Sequence, residues 1–448
     1  MSLKPFLTHL LLAGVIGLAG TGLQAGPAEA PPVPDTLDLK AAIGLALENN
    51  FAIRQARERI KEQEGVEITV RARQIPNVSG SGSYTGNAKA VSSYIPANDQ
   101  AWVVSLQARQ VLYAGGGVSA AVKSSALARA AAVLELQGVI NGQLLAVRTQ
   151  FYTVLLDREQ IKVQEESVKL LTEQLKDAQS RFNAGTTSNF EVLRAEVALA
   201  NGQPPLIQAR NDYRVAIEQL RQLLGLATGA GANVTKVPEV VGTLEAGAAV
   251  TLQLADALGT ARANRPELQQ LAKLQSAGEQ NVTASRSSYL PEFDLVGGYS
   301  WVRGPFSAAW DARGEGWTAG VQSSWNIFDG RATAGRVMQA KSQLEQAKLT
   351  LANTTLAIEV QVRQAYSSLI EAWELVQASS KTVEQAQEAL REANVRYGAG
   401  TATQLDVLTS QVALTQARLN QLQAYYGYNV AQAAMRQAMG QPDEAVAP

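Results

Sequence analysis

Two carboxylates, Glu191 and Asp406, hold the positions in this 448-residue chain where side-chain chemistry is easiest to place. Each stands three residues after a hydroxyl-bearing residue, Ser188 or Thr403, at the expected start of a helix. There a carboxylate can accept a hydrogen bond from the amide of the capping residue and face the positive end of the helix dipole. Hydrolysis by carboxylates alone is the one enzymatic chemistry left open. The chain has no cysteine and a single histidine, His9, near the N-terminus. Ser-His-Asp and Cys-His catalysis and histidine-based zinc sites therefore lack their residues, and no metal or cofactor is expected. The remaining acidic residues fall mainly at helix caps and solvated faces, which argues against an enzyme. Just ahead of each carboxylate runs a second motif, Arg181-Phe182 with Gly185-Thr186, and Arg396-Tyr397 with Gly400-Thr401. Each arginine falls in the last turn of a helix, where a cation meets the negative end of the dipole. An exposed loop motif written twice also suits the docking of a partner protein.

These pairs belong to a longer duplication. Residues 37–225 recur as 252–440 at a constant offset of 215, with Pro76 and Pro291, Tyr84 and Tyr299, Trp102 and Trp317, Arg148 and Arg363, Tyr213 and Tyr428, and Gly225 and Gly440 all in step. Such a period is far longer than the roughly 20–50 residues of a solenoid unit, so it marks two copies of one half-molecule. Residues 226–251 form a linker and 441–448 a tail. Ahead of the first repeat, residues 1–25 are expected to be a secretory signal peptide: Lys4, an apolar stretch from Phe6 to Leu18, then the small-residue end Leu23-Gln24-Ala25. A Pro-rich lead-in, 26–36, follows.

The formal net charge of −1 and the lack of a basic run interleaved with aromatics give no sign of a nucleic-acid partner. No stretch after residue 25 approaches ~18 consecutive apolar residues. If the chain crosses a membrane, it does so as strands.

Helical periodicity runs from Leu37 to about Arg73 and from Leu252 to about Ser288, and Pro76 and Pro291 stop it. Beyond each proline the period falls to two. Strands are expected at about 77–87 and 101–112, and at about 292–302 and 316–328, one hairpin per half. Their length of ~10 residues suits tilted membrane strands. Tyr84, Trp102, Tyr299, Trp301, Trp317 and Trp325 lie on them and Trp310 in a loop, which favours an interfacial aromatic girdle over ordinary core packing. Glycines at 115–117 and 330 turn each hairpin into an Ala/Gln/Leu-rich helix of ~65 residues, roughly 100 Å long. Leu144, Val147, Phe151 and Val154 form a heptad seam, continued on the return helix by Leu405, Leu408, Val412, Leu419 and Leu422. Gly185 and Gly400 should end the outgoing helices, with Ser188 and Thr403 capping the return. Pro204-Pro205 is expected to kink the first return helix.

Four strands cannot close a barrel, and lipid offers no partner for an open edge, so the chain must oligomerise. In its duplicated Arg-aromatic-x-x-Gly-Thr tips, the Glu191-Val192-Leu193 and Asp406-Val407-Leu408 that follow them, and the Leu-Tyr-Ala-Gly-Gly and Ile-Phe-Asp-Gly strand exits, the sequence resembles the TolC-like outer-membrane channel family. The resemblance implies a mainly α fold with a small β part. It also implies a homotrimer whose 12-stranded β-barrel in outer-membrane lipid continues as an α-helical barrel in the periplasm of a Gram-negative bacterium. As partners it implies a periplasmic adaptor (membrane fusion) protein docked at the tips and an inner-membrane pump of RND or ABC type. The function implied is a passive exit duct for efflux or type I secretion, with Asp406 and Glu191 at a periplasmic constriction. Thr409 and Arg194 stand where the family often has a second Asp, and Ala402 where some relatives have a basic gate residue. The competing reading is a periplasmic coiled-coil scaffold without a pore.

Overall fold

The computed structural model describes residues 35–86, 100–226, 239–303 and 314–443. The signal peptide with His9, the Pro27–Pro34 lead-in, residues 227–238 of the linker, Trp310 and the last five residues lie outside the described residues. Along the chain the elements are β1 (Thr36–Leu37), α1 (Leu39–Asn49), α2 (Phe51–Arg71), β2 (Asn77–Gly86), β3 (Gln100–Ala114), α3 (Gly117–Asn183) and α4 (Asn189–Leu223). The second half supplies β4 (Glu239–Val240), α5 (Leu254–Asn264), α6 (Pro266–Ser287), β5 (Glu292–Arg303), β6 (Gly314–Ser324), α7 (Ala332–Gly398) and α8 (Gln404–Ala438). The fold is mainly α with a small β part.

The four long strands form one antiparallel sheet in the order β2-β3-β5-β6, so β3 and β5 join the two halves and β2 and β6 are open edges. β6 ends at Ser324, short of the 328 expected from its apolar pattern, because its partner β5 begins at Glu292, the residue opposite Ser324. A second, minimal sheet pairs β1 with β4 in parallel and ties the N-terminal segment to the linker.

The four helical columns descend from this sheet. Nearest the strands, α2 packs on α3, α3 on α6 and α6 on α7; towards the tips, α4 packs on α3, α3 on α8 and α8 on α7. Hence α3 and α7 span the full length, while α2 continues α4 and α6 continues α8. The joints were not evident from periodicity, which suggested one opening helix per half. They fall at Asn50 and Arg265, 215 residues apart. Asn50 caps α2 by accepting from the Ala52 and Ile53 amides at 2.9 and 3.2 Å, and its Nδ2 donates to the Leu223 carbonyl at the end of α4 at 2.7 Å. Arg265 donates from Nε to the Ala438 carbonyl at the end of α8 (3.0 Å), from Nη2 to Gln361 (2.6 Å) and from Nη1 to Glu267 (3.1 Å). The abutting chains touch so closely that a Cβ on Gly225 would lie 2.3 Å from the Asn49 carbonyl oxygen. Across the halves, Arg148 on α3 grips Asp443, just past α8, through two bonds of 2.7 and 2.6 Å.

Two apolar cores sit midway along the long helices, one per half. Leu37, Ile43, Leu144, Val147, Phe151, Val154, Leu220 and Leu224 build the first; Leu268, Val362, Leu369, Tyr428 and Met435 anchor the second. One window of α3 is apolar enough to cross a bilayer by length and composition, but this helix carries the first core's seam. On α8 the seam differs from the expected one. Val407, Leu408, Gln411, Leu414 and Ala417 are buried, whereas Leu405 and Val412 are exposed, since they face away from α3 and α7. Helix α4 passes through Pro204 and Pro205 without interruption, so two lost amide donors do not end a helix held along its length by α3.

Burial also places one acid at a cost. Asp157 on α3 is buried, and this, followed by the nearby Asp212, pushes its carboxyl up to about 6. A raised folded pKa means the native state binds the extra proton, so stability falls as pH rises from about 4 towards 6. Asp157→Asn should therefore stabilise the protein at pH 7.5, by ~1–2 kcal/mol once partial contact with water is allowed for. At pH 4 the gain should vanish; unfolding midpoints of the two proteins at both pH values test this. Arg265→Ala, which strips three donors from a buried joint, should cost ~2–4 kcal/mol. Amide exchange should quicken at residues 436–441 and not in the sheet, a contrast readable by hydrogen-exchange mass spectrometry.

Candidate functional site at the helical tips and the strand face

Both tips are built by the duplicated motif. Gly185 and Gly400 take φ values of 75° and 74°, a left-handed conformation that costs glycine little. The Thr186 and Thr401 amides each donate to the carbonyl of the arginine five residues back at 2.9 Å, and the threonine hydroxyls reach the same oxygens at 3.0 and 3.1 Å. These glycines and threonines thus close the helix ends in the usual left-handed manner.

The two carboxylates behave differently. Asp406 Oδ2 accepts from the Thr403 amide at 2.7 Å and from its hydroxyl at 2.8 Å, while the Asp406 amide donates back to Thr403 Oγ1 at 3.4 Å. That is a complete capping box, and its hydrogen bonds hold the exposed carboxyl below the ordinary aspartate range. Ser188, by contrast, makes no side-chain cap bond, and Glu191 does not reach back to it. Glu191 pairs with Arg194 at 3.1 Å and, with the Gln404 amide turned to satisfy both groups, accepts from Gln404 at 2.8 Å. The physical difference lies one turn on: Arg194 draws Glu191 away, whereas Thr409 at the matching place carries no charge.

Arg181 bonds Asp177 at 2.8 Å and stacks 4.7 Å from the centre of the Tyr397 ring, so two residues expected on a docking surface hold the hairpins of one chain together. Arg396 lies 3.7 Å from Glu392, and Phe182 is exposed. Gln404 and Gln411, both buried on the α8 seam, were overlooked in the sequence; Gln411 bonds Gln174 on α3. Their spacing of seven among apolar neighbours was the available signal.

At the other end the strand register sorts every side chain. Tyr84 lies opposite Trp102, Val104 opposite Trp301, Leu106 opposite Tyr299 and Tyr299 opposite Trp317, so all five aromatics share one face with Leu295 and Val321. The other face carries Ser79, Ser81, Ser83, Ser105, Gln107, Ser300, Thr318 and Gln322, with Arg109 and Asp294 paired at 2.6 Å. Trp317 is 77% exposed, which a water-facing surface would not favour. Trp325 follows just beyond β6, eight residues on, or about 26 Å along an extended strand, close to the height of a barrel's apolar band.

A family model described as outer membrane efflux protein matches residues 42–226 and again 257–441, the same 215-residue step. The chain belongs to the outer membrane efflux protein family. Among relatives, the outer membrane efflux protein BepC of Brucella suis is 23% identical over 96% of this chain and 90% of its own length. CyaE of Bordetella pertussis is 25% identical over 87% and 82% respectively. The crystal structure of the Campylobacter jejuni CmeC outer membrane channel covers 91% of this chain and 87% of its own, with a TM-score of 0.79 at 15% identity. This efflux protein is accordingly an outer-membrane channel of the efflux and secretion class, with a large helical periplasmic part. It is neither an enzyme nor a scaffold without a pore.

The capping box sets a pH limit. Because the folded Asp406 pKa is depressed, its contribution is complete above the unfolded value near 4 and is lost as pH falls through the folded one. Protection of the Thr403 amide, its exchange rate relative to an unstructured peptide at the same pH, should be retained at pH 5, be lost as pH falls through the depressed Asp406 pKa, and already be lost at neutral pH in Asp406→Ala.

Proposed function

We propose that three copies close this sheet into a 12-stranded barrel, aromatic face to lipid and hydroxyl face to the lumen, with the helices as a periplasmic conduit. The observation that carries this reading is a sheet sorted into an apolar and a polar face and left with two open edges. In lipid an unpaired edge has no substitute partner, so closure must come from further copies. The lumen side, lined mainly by serine, threonine, glutamine and glycine, with the Arg109–Asp294 pair and Val103, Val296 and Val302 among them, fits a conduit for polar solutes rather than a pocket for one ligand. Transport is passive, and the driving energy comes from an inner-membrane pump of the RND or ABC type reached through a periplasmic adaptor. Residues 1–25 act as the export signal.

The tips are the docking place for the adaptor, through the solvent-facing parts of Arg396 and Phe182 and the exposed edges of the turns around Gly185, Thr186, Gly400 and Thr401. Arg181 and Tyr397 contribute by holding the hairpins at a fixed spacing. At the same end Asp406 supplies the charge of a constriction, one carboxylate per copy. Glu191 adds little, because Arg194 neutralises it.

Purified protein in planar bilayers should give discrete channels with a mild preference for cations. Asp406→Asn should lower that preference measurably, and Glu191→Gln should leave it almost unchanged. A protein that never conducts would remove the proposal. Equal effects of the two substitutions would remove the assignment of the constriction to Asp406.

A further inference from the structure

We infer that the neck where the sheet passes into the helices holds a selectivity station for dipolar solutes, a recess in each copy where Arg73 and Arg336 receive a carboxylate and Glu292 an ammonium group. The inference rests on the conduit proposed above, since it needs the hydroxyl face of the sheet to line the lumen. The recess measures about 270 Å³ and is lined by Arg73, Ser287, Ser288, Glu292, Ser324 and Arg336, together with the first turns of α3. Strand register fixes the side on which it opens. Glu292 lies opposite Ser324 and two residues before Asp294, which lies opposite Gln322, so all four share the polar face. Arg73 is exposed, and its guanidinium has no hydrogen bond or ion pair to any described residue. Arg336, also exposed, donates to Thr333 Oγ1 at 2.6 Å and lies 3.7 Å from Asp329, whose own bonds go to the Thr333 amide and hydroxyl. On the acidic side Arg109 binds Asp294 at 2.6 Å and stands 3.7 Å from Glu292, so one guanidinium serves two carboxylates and one negative charge is left over. The buried Oδ1 of Asp294 has no partner either. Unmatched charge of both signs thus borders one polar recess.

The fold does not require these charges, because the other half builds the same junction without them. At the offset of 215, Arg73 answers to Ser288, Arg336 to Ala121, Glu292 to Asn77, Asp294 to Ser79 and Arg109 to Ser324. Both halves nevertheless turn from strand to helix through a glycine of positive φ, Gly115 at 58° and Gly330 at 63°. Backbone geometry makes the turn, and the five charges are left for another task. Each occurs once per copy, so a trimer would carry three such stations around its neck. With Asp329 the set is balanced, Arg73, Arg109 and Arg336 against Glu292, Asp294 and Asp329. Such a set does not enrich ions of one sign as Asp406 does at the far end. It holds a molecule that bears both. A guanidinium takes a carboxylate through paired hydrogen bonds, but exposed ion pairs are worth little in water. That weakness suits a passage, where binding must favour entry and still allow exit.

The test uses tetra-alanine in three forms, with both termini free, with the amine acetylated and with the carboxylate amidated, each added to the barrel side of single channels in planar bilayers. The forms are close in size and differ in charge. The peptide with both termini free should interrupt the current several-fold longer per event than either blocked form. Arg73→Ser and Glu292→Asn install the residues that the other half already carries at this junction, and each should shorten those interruptions to the length seen with a blocked form. Equal interruptions by all three peptides, or by the unaltered protein and both variants, would overturn the station and leave the conduit standing. Longest interruptions by the acetylated peptide would make the recess a site for anions and overturn the dipolar assignment. A protein that forms no channels would remove the conduit and the station with it.

Discussion

The interaction on which everything else depends is the backbone hydrogen bond in a medium without water. Each half of the chain can make a hairpin and the two hairpins can pair through β3 and β5, but β2 and β6 still present rows of donors and acceptors. In solvent such edges are tolerable; in hydrocarbon each unmatched group costs several kcal/mol. The sheet therefore sets the requirement for neighbours, and its two-residue period decides which side meets lipid. The aromatic face and the hydroxyl face are not separate adaptations. They follow from one alternation, read at the same register across four strands.

Below the membrane the same duplication is met by different chemistry in each half. Asn50 and Arg265 both reach the last turn of the helix that abuts theirs, one with an amide and the other with a guanidinium. Asp406 closes a capping box, and Glu191 is taken up by Arg194 and Gln404. Backbone geometry has been kept at these points while the side chains have drifted. A tip built from three such copies has threefold rather than sixfold character, with charge at Asp406 and neutral pairs at Glu191.

Much of this was legible in the sequence because the strongest signals are periodic. The 215-residue step, the prolines at 76 and 291, the fall of the period to two and the long helices each leave a pattern over many residues. What escaped was carried by single side chains acting across the fold. Nothing in the local sequence of Asn50 predicts a bond to Leu223, 173 residues away; Pro266, at the first position of α6, is a local cue to the second joint that the helical period alone runs through. The capping role expected of Glu191 failed for a reason one turn further along, at Arg194. Arg181 and Tyr397 had been read as surface, because the seam between hairpins that brings them together is a tertiary fact. Leu405 and Val412 matched a heptad by spacing and yet face outward, since spacing gives the width of a stripe but not which stripe is covered.

The division of the columns has a mechanical consequence. Two of the four in each copy, α3 and α7, are unbroken over 67 residues, and the two beside them are spliced at Asn50 and Arg265. A tube whose staves alternate between unbroken and spliced has its joins at one level, and any change of angle between the upper and lower columns would first have to break the bonds by which Asn50 and Arg265 hold the abutting helix ends.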